Sequence, residues 1–277
     1  MKNLVQKAKS ISVKLPKIKI SYKNSVSHDF GDVNVKKSGS GEDFWDFEKY
    51  NVGDSIKKID WKKSSKQGEL FIKNNESENA NNIWFYVSKS GSMNYKNSKN
   101  VETKLERATL IGLIFLDVLL KSGEKVGIIG SELGLKKGHK NYIAMASELI
   151  KKNKSQDNRI RKNDTVFFIS DFLENTEKIK TKLFGLSQTK FNGFLIQILD
   201  SSEINFPFEG RNRFFDPISG LHKLFNKSEN MKITYKKKFK EHQEKLKVLC
   251  SKFGWKFVSN TTNESYESII AKLYRIF

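Results

Sequence analysis

Cys250 is the only cysteine among 277 residues, which excludes an intramolecular disulfide and a zinc site built on cysteine pairs. It is expected as a small buried residue on a helix. Arginine is nearly as scarce. Arg107, Arg159, Arg161, Arg211, Arg213 and Arg275 are all there are, so lysine supplies nearly all of the 51 basic side chains. Lysine lacks the planar fork with which arginine reads phosphates and base edges, so sequence-specific nucleic-acid recognition is not expected.

Long apolar runs are missing too. The longest, Leu110 to Leu120, is interrupted by Gly112 and Asp117 and falls far short of the roughly 20 residues that cross a bilayer. Met1 to Lys23 is basic and contains no apolar core of the signal-peptide kind. The expectation is a cytoplasmic protein that does not span a membrane. No Walker A sequence, dinucleotide glycine pattern or His-Glu-x-x-His pair is present. His28, His139, His222 and His242 are scattered, and none sits in a motif that would activate a serine. The chain is therefore not expected to be an enzyme.

What the sequence does contain is 30% charged residues with a net charge of +20, together with 21 phenylalanines and 4 tryptophans that supply a large core. The abundance of Lys, Asn, Ile and Phe matches what AT-rich codons encode, so the charge is read first as composition laid over solvated faces. The alternative is an electrostatic binder of nucleic acid or anionic membrane surface, acting through the lysine face of Met231 to Lys252 and the basic N-terminus.

One stretch organises the rest. Ile83 to Val87 is continuously apolar, as in a strand covered on both faces of a parallel sheet, and it ends in Ser88, Ser90 and Ser92. Ligands of such sheets gather at the carboxyl ends of strands, which places a candidate site on these hydroxyls. Hydroxyls at spacing two can help to hold a hard cation, normally beside a carboxylate, and this loop has none.

Strand and helix signals then alternate. Glu102 to Lys121 is apolar nearly all round, a buried helix that Gly123 stops. Lys125 to Gly130, Thr165 to Ser170 and Phe194 to Leu199 read as buried strands, the last two ending in Asp171 and Asp200. Asn141 to Lys151, Asn175 to about Leu186 and Met231 to Phe253 read as helices. Trp255 to Val258 reads as a last strand, before a terminal helix opened by Asn263 or Ser265. Ser201 to Asn230 is irregular or a short hairpin, broken by Pro207, Gly210, Pro217 and Gly220. Ahead of this body, Met1 to Ser40 is a lysine-rich arm or first layer, with an alternating strand at Ile18 to Tyr22 and a glycine-rich turn from Phe30 to Gly41. Residues 42 to 73 alternate aromatics with charges, as a two-stranded or irregular layer would. The expected fold is α/β: a doubly wound, mainly parallel sheet with helices on both faces, plus a small aromatic-rich N-terminal layer. Its expected division is residues 1–80 and 81–277, with an insertion at about 201–230.

The ordered series Gly41-Glu42-Asp43-Phe44, Tyr50-x-x-Gly53-Asp54, Ile59-Asp60-Trp61, Ser64-Ser65-Lys66-x-Gly68 and Ser90-Gly91-Ser92-Met93 resembles the bacterial family called domain of unknown function 58. The likeness continues through Phe168-Ile169-Ser170-Asp171-Phe172, Gln197-Ile198-Leu199-Asp200, Pro207-Phe208-Glu209-Gly210 and Gly254-Trp255. The resemblance implies a von Willebrand factor A-like, Rossmann-type domain, and as partner a MoxR-type AAA+ ATPase. In such domains a metal-ion-dependent adhesion site has the form Asp-x-Ser-x-Ser, completed by a threonine and a later aspartate. Carried over, the ligands are Ser90, Ser92 and Asp171, with Ser88 in place of the first carboxylate and no threonine assignable. Magnesium is thus a weakened expectation, because one carboxylate is gone and Lys89 adds positive charge. The competing reading has these hydroxyls cap the next helix or bond within the loop. The implied function is a non-enzymatic adaptor in the assembly or maturation of other proteins. Ser88, Ser90, Ser92 and Asp171 would face the partner, and Tyr50, Gly53, Asp54, Asp60 and Trp61 carry the family motif.

Overall fold

The computed structural model describes residues 2–17, 38–50, 56, 59–76, 80–97, 102–152, 159–185, 191–217 and 219–275. The elements in chain order are α1 (Lys2–Ser12), β1 (Ser38–Lys49), α2 (Trp61–Gln67), β2 (Phe71–Glu76), β3 (Asn82–Val87), α3 (Lys104–Lys121), β4 (Lys125–Ile128) and β5 (Lys136–Lys137). They continue with α4 (Tyr142–Ile150), β6 (Thr165–Ser170), α5 (Thr176–Phe184), β7 (Asn192–Leu199) and α6 (Ser201–Asn205). The last are β8 (Asn212–Phe215), β9 (His222–Phe225), α7 (Lys232–Lys252), β10 (Lys256–Thr261) and α8 (Tyr266–Tyr274).

Six strands form one sheet in the order β10-β7-β6-β3-β4-β5, parallel throughout except for the two-residue β5, which runs antiparallel to β4. The apolar runs divide by strict alternation between its two faces. Ile83, Phe85 and Val87 of β3, with Phe167 and Ile169 of β6, join the core shared with α3, α4 and α8. Trp84, Val166 and Phe168 point the other way, into a core with α5 and α7. The sheet is thus mixed α/β and mainly parallel with helices on both faces, as its continuously apolar strands imply. The strand boundaries fall within a few residues of those expected, as do the caps. Asn175 accepts from Glu177 N at the start of α5 and Ser265 from Ser268 N at the start of α8.

The chain forms two compact units, residues 1–22 with 81–277, and residues 23–80. Helix α1 accordingly packs with the larger unit. Helix α1 was not expected, and it packs on α3 by burying Ala8, with Leu4, Val5 and Ile11 beside it. Ser12 Oγ then donates to the buried carboxylate of Asp117 at 2.5 Å. The strand expected at Ile18 to Tyr22 lies outside the described residues.

In the smaller unit β1 pairs antiparallel with β2 through two register shifts, so the turn expected up to Gly41 gives way to strand from Ser38 onward. The family-motif residues there support local structure. Asp60 caps α2 by accepting from Lys63 N at 2.9 Å, and Gly68 ends it at φ 70°. Ser64 Oγ bridges Asp60 O and Phe71 N, while Trp61 is exposed and Tyr50 N donates to Leu70 O. Gly53 and Asp54 lie outside the described residues.

Candidate functional site

From β3 the chain moves to β4 on one side, and from β6 it moves to β7 and β10 on the other, so the strand order reverses between β3 and β6. Loops leaving two adjacent parallel strands in opposite directions leave a crevice at their carboxyl ends. Ser88 follows β3 and Asp171 follows β6, which puts both expected positions beside that reversal. Ser88 N extends the ladder by donating to Ile169 O at 2.9 Å.

The three serines are brought together. Ser88 Oγ donates to Ser90 Oγ at 3.3 Å, and Ser90 Oγ lies 2.9 Å from Ser92 Oγ. Their hydroxyls bond within the loop, and Ser90, at the N-cap of the short 3-10 turn Gly91–Asn94, makes no side-chain cap bond. Gly91 allows a close approach here: a Cβ on it would lie 2.9 Å from Pro217 O, so any larger residue would push the turn between β8 and β9 off this loop. Lys89 folds away to donate to Thr109 Oγ1 at 3.3 Å, and burial lowers its pKa to about 8.

Asp171 is engaged by an ammonium. Its Oδ2 lies 3.0 Å from Lys104 Nζ, and the same ammonium reaches Glu203 Oε1 at 2.6 Å. Lys104 is fully buried and Asp171 nearly so, so the lysine holds two carboxylates in a low-dielectric setting where a lone charge would be costly. Asp171 Oδ1 takes a long 3.5 Å bond from Ser170, and its backbone oxygen accepts from Gln197 Nε2 at 2.8 Å. Burial raises the pKa of Glu203 in spite of Lys104, whose charge works in the opposite direction. No group of three or more His, Cys, Asp or Glu side chains poised for a metal ion occurs among the described residues. The donor set therefore does not fit magnesium: hydroxyls bond one another, and the remaining carboxylate faces an ammonium. Of the expected metal ligands Ser90, Ser92 and Asp171, only the two serines contact each other.

Asp200, expected at a strand end, and Glu203, Tyr95 and Tyr235, which the sequence does not single out, complete the edge. Asp200 caps α6 in a capping box with Glu203, accepting from Ser202 N at 2.9 Å while Glu203 Oε2 accepts from Asp200 N at 2.8 Å. This box sets Glu203 in reach of Lys104. Tyr95 OH lies 2.9 Å from Ser202 Oγ, and Tyr235 OH donates to Glu203 O at 2.6 Å. Beside Ser92 and Tyr95 opens a pocket of about 560 Å³ whose walls include Phe206, Phe208, Phe214 and Tyr235. The Phe206 and Tyr235 rings are 4.8 Å apart, and Phe208 meets Phe214 edge-on at 5.1 Å. Phe206 itself sits at φ 47°, a conformation bulky residues rarely adopt, at the turn that swings it into the pocket wall. A signal for Lys104 was present: a lysine and Arg107 in the first turns of an otherwise apolar helix oppose its dipole, which is tolerated when partners neutralise them. Nothing local foretold the pocket, whose walls come from segments separated by more than 100 residues.

These features define an α/β protein whose hydroxyl loop, buried ion triad and aromatic pocket share one edge of a mainly parallel sheet. The chain belongs to the family described as protein of unknown function DUF58, whose pattern matches residues 46–245. Among solved structures it is similar to the conserved hypothetical protein BatB from Bacteroides thetaiotaomicron, at 14% identity and a TM-score of 0.36, covering 71% of this chain and 96% of that one. It is also similar to an aerotolerance-related membrane protein from Bacteroides fragilis NCTC 9343 with multiple mutations to serines, at 13% identity and a TM-score of 0.37, covering 72% and 100%. Overlap at that level carries no inference about this chain. No curated protein matches it. No described helix is long and apolar enough to cross a membrane.

Proposed function

We propose that this chain is a non-enzymatic, cytoplasmic adaptor of von Willebrand factor A-like type. It presents the carboxyl edge of its sheet to a protein partner, a MoxR-type AAA+ ATPase, in the assembly or maturation of other proteins. ATP hydrolysis belongs to the partner. The adhesion site is degenerate: Ser88 stands where a carboxylate would be, and Lys104 supplies internally the positive charge that a metal would bring to Asp171. Docking then proceeds by shape and hydrogen bonds.

The observation that carries this reading is the aromatic pocket opening beside Ser92, next to half-buried hydroxyl and phenol groups. A preformed apolar pocket with a few polar groups at its rim suits an anchoring side chain of a partner, since such anchors dominate interface energy. The test is co-purification and calorimetric titration with a MoxR-type ATPase from the same genome, using Ser92→Trp to fill the pocket mouth. Asp171→Ala is a poor probe because it strands Lys104 in the interior. The reading expects Ser92→Trp to weaken binding with an unchanged melting temperature. Binding at wild-type strength would remove the pocket from the account.

A further inference from the structure

The hairpin β8–β9 has one face turned into the pocket and one face turned outward. Its register pairs Arg213 with Leu224 and Phe215 with His222, and in an antiparallel pair directly opposed residues share a face. Arg213, His222 and Leu224 are exposed and lie off the pocket, while Phe215, 64% exposed, stands at its rim. Phe214 and Phe225, on the other face, are half-buried in the pocket wall. At the turn Leu221 is 72% exposed, and Ile233 in the first turn of α7 is 84% exposed. Phe215, Met231 and Lys238 line the same pocket, so the hairpin and the start of α7 are neighbours.

Charge around these side chains is mostly positive. Between residues 211 and 240 lie Arg211, Arg213 and seven lysines, against only Asp216 and Glu229. Ile233, Lys236, Lys237 and Lys240 fall at helical spacings of three, four and seven, which puts them on one stripe of α7. Exposed large apolar groups within a lysine-rich stretch suit a surface that is both apolar and anionic. A nucleic acid would use the lysines and leave Leu221 and Leu224 without a role.

We propose that the outward face of the β8–β9 hairpin and the first turns of α7 dock this protein onto an anionic lipid bilayer. Leu221 and Leu224 enter the headgroup boundary, while the flanking lysines pair with lipid phosphates. This goes beyond the adaptor reading and does not depend on it: a peripheral membrane site would set where the sheet edge meets its partner.

The experiment is co-sedimentation of the full chain with phosphatidylcholine vesicles and with vesicles containing phosphatidylglycerol, at low and at physiological salt, with no ATPase present. Leu221→Ser/Leu224→Ser is compared with the wild type, its melting temperature measured alongside, and both are titrated with duplex DNA. The wild type is expected to bind the phosphatidylglycerol vesicles and not the neutral ones. The double variant should lose roughly tenfold in partitioning while its melting temperature and its DNA binding stay unchanged. No binding to anionic vesicles overturns the proposal. So does undiminished vesicle binding by the double variant, or DNA binding tighter than vesicle binding that is lost in that variant.

Discussion

Lys104 Nζ lies 3.0 Å from Asp171 Oδ2, joining the first turn of α3 to the end of β6 inside the protein. The two elements flank the reversal of strand order, so this ion pair ties together the walls of the crevice. Removing one partner of a buried pair leaves a charge stranded, at a cost of about 3–5 kcal/mol. Lys104→Met is expected to lose stability on that scale in urea unfolding, Asp171→Asn less because Glu203 Oε1 still lies 2.6 Å from Lys104 Nζ, and the double variant clearly less than the sum. Additive losses would mean that the pair is uncoupled. Magnesium or chelator should leave the wild-type melting temperature where it is, because a ligand that does not bind the native state cannot stabilise it.

Asp117 makes a prediction about acid. Its carboxylate is buried within α3 and accepts from Ser12 Oγ, Lys121 Nζ and His139 Nε2, the last at 2.8 Å. Burial alone would raise its pKa, but these donors outweigh burial and hold it below the ordinary value of 3.8. A depressed folded-state pKa contributes stability that is present above 3.8 and lost as pH falls through the folded value. Asp117→Asn should therefore cost about 1–3 kcal/mol near neutrality, and that gap should narrow as urea melts are repeated at lower pH. A gap that stays constant down to acid would contradict the assignment.

The sequence made the sheet legible because burial on both faces forces continuous apolar runs, as at Phe167 to Ile169, and because caps such as Asn175 and Ser265 have local chemistry. It hid α1 because lysines interrupt the run, although Leu4, Val5, Ala8 and Ile11 already lie at helical spacing. Of the site, the serine loop and Asp171 were legible from position at strand ends. Their neighbours were not, since Lys104 and Glu203 meet across 99 residues of chain and the pocket depends on how the 201–230 segment folds back. The magnesium ligands came from the family resemblance alone, and the lysine that faces Asp171 is remote from it in sequence.

Lys89 should titrate early. Half-buried beside Thr109, its ammonium is disfavoured by desolvation and its pKa falls to about 8. After reductive methylation with ¹³C, one dimethyl-lysine resonance is expected to inflect near that pH, well below the rest, and to vanish in Lys89→Gln. An inflection with the bulk of the lysines would refute the burial.

Gly91→Ala should displace the hairpin turn. The new methyl group would stand 2.9 Å from Pro217 O, closer than van der Waals contact permits, at a cost of about 1–3 kcal/mol if the backbone has to shift. Faster hydrogen exchange confined to residues 210–226 is the expected signature, with the sheet core unchanged. Exchange identical to wild type would show that the turn does not rest on this loop.

On the proposed reading, the sheet edge receives a protein partner through a preformed pocket and needs no bound ion. Its most direct test is calorimetric titration of a nucleotide-free MoxR-type ATPase into this protein, with magnesium and again with chelator. The account predicts the same dissociation constant in both buffers, and an increase of roughly tenfold or more for Ser92→Trp, as expected when an anchor is shut out of its pocket. Absence of binding by the wild type, or binding abolished by the chelator, would contradict it.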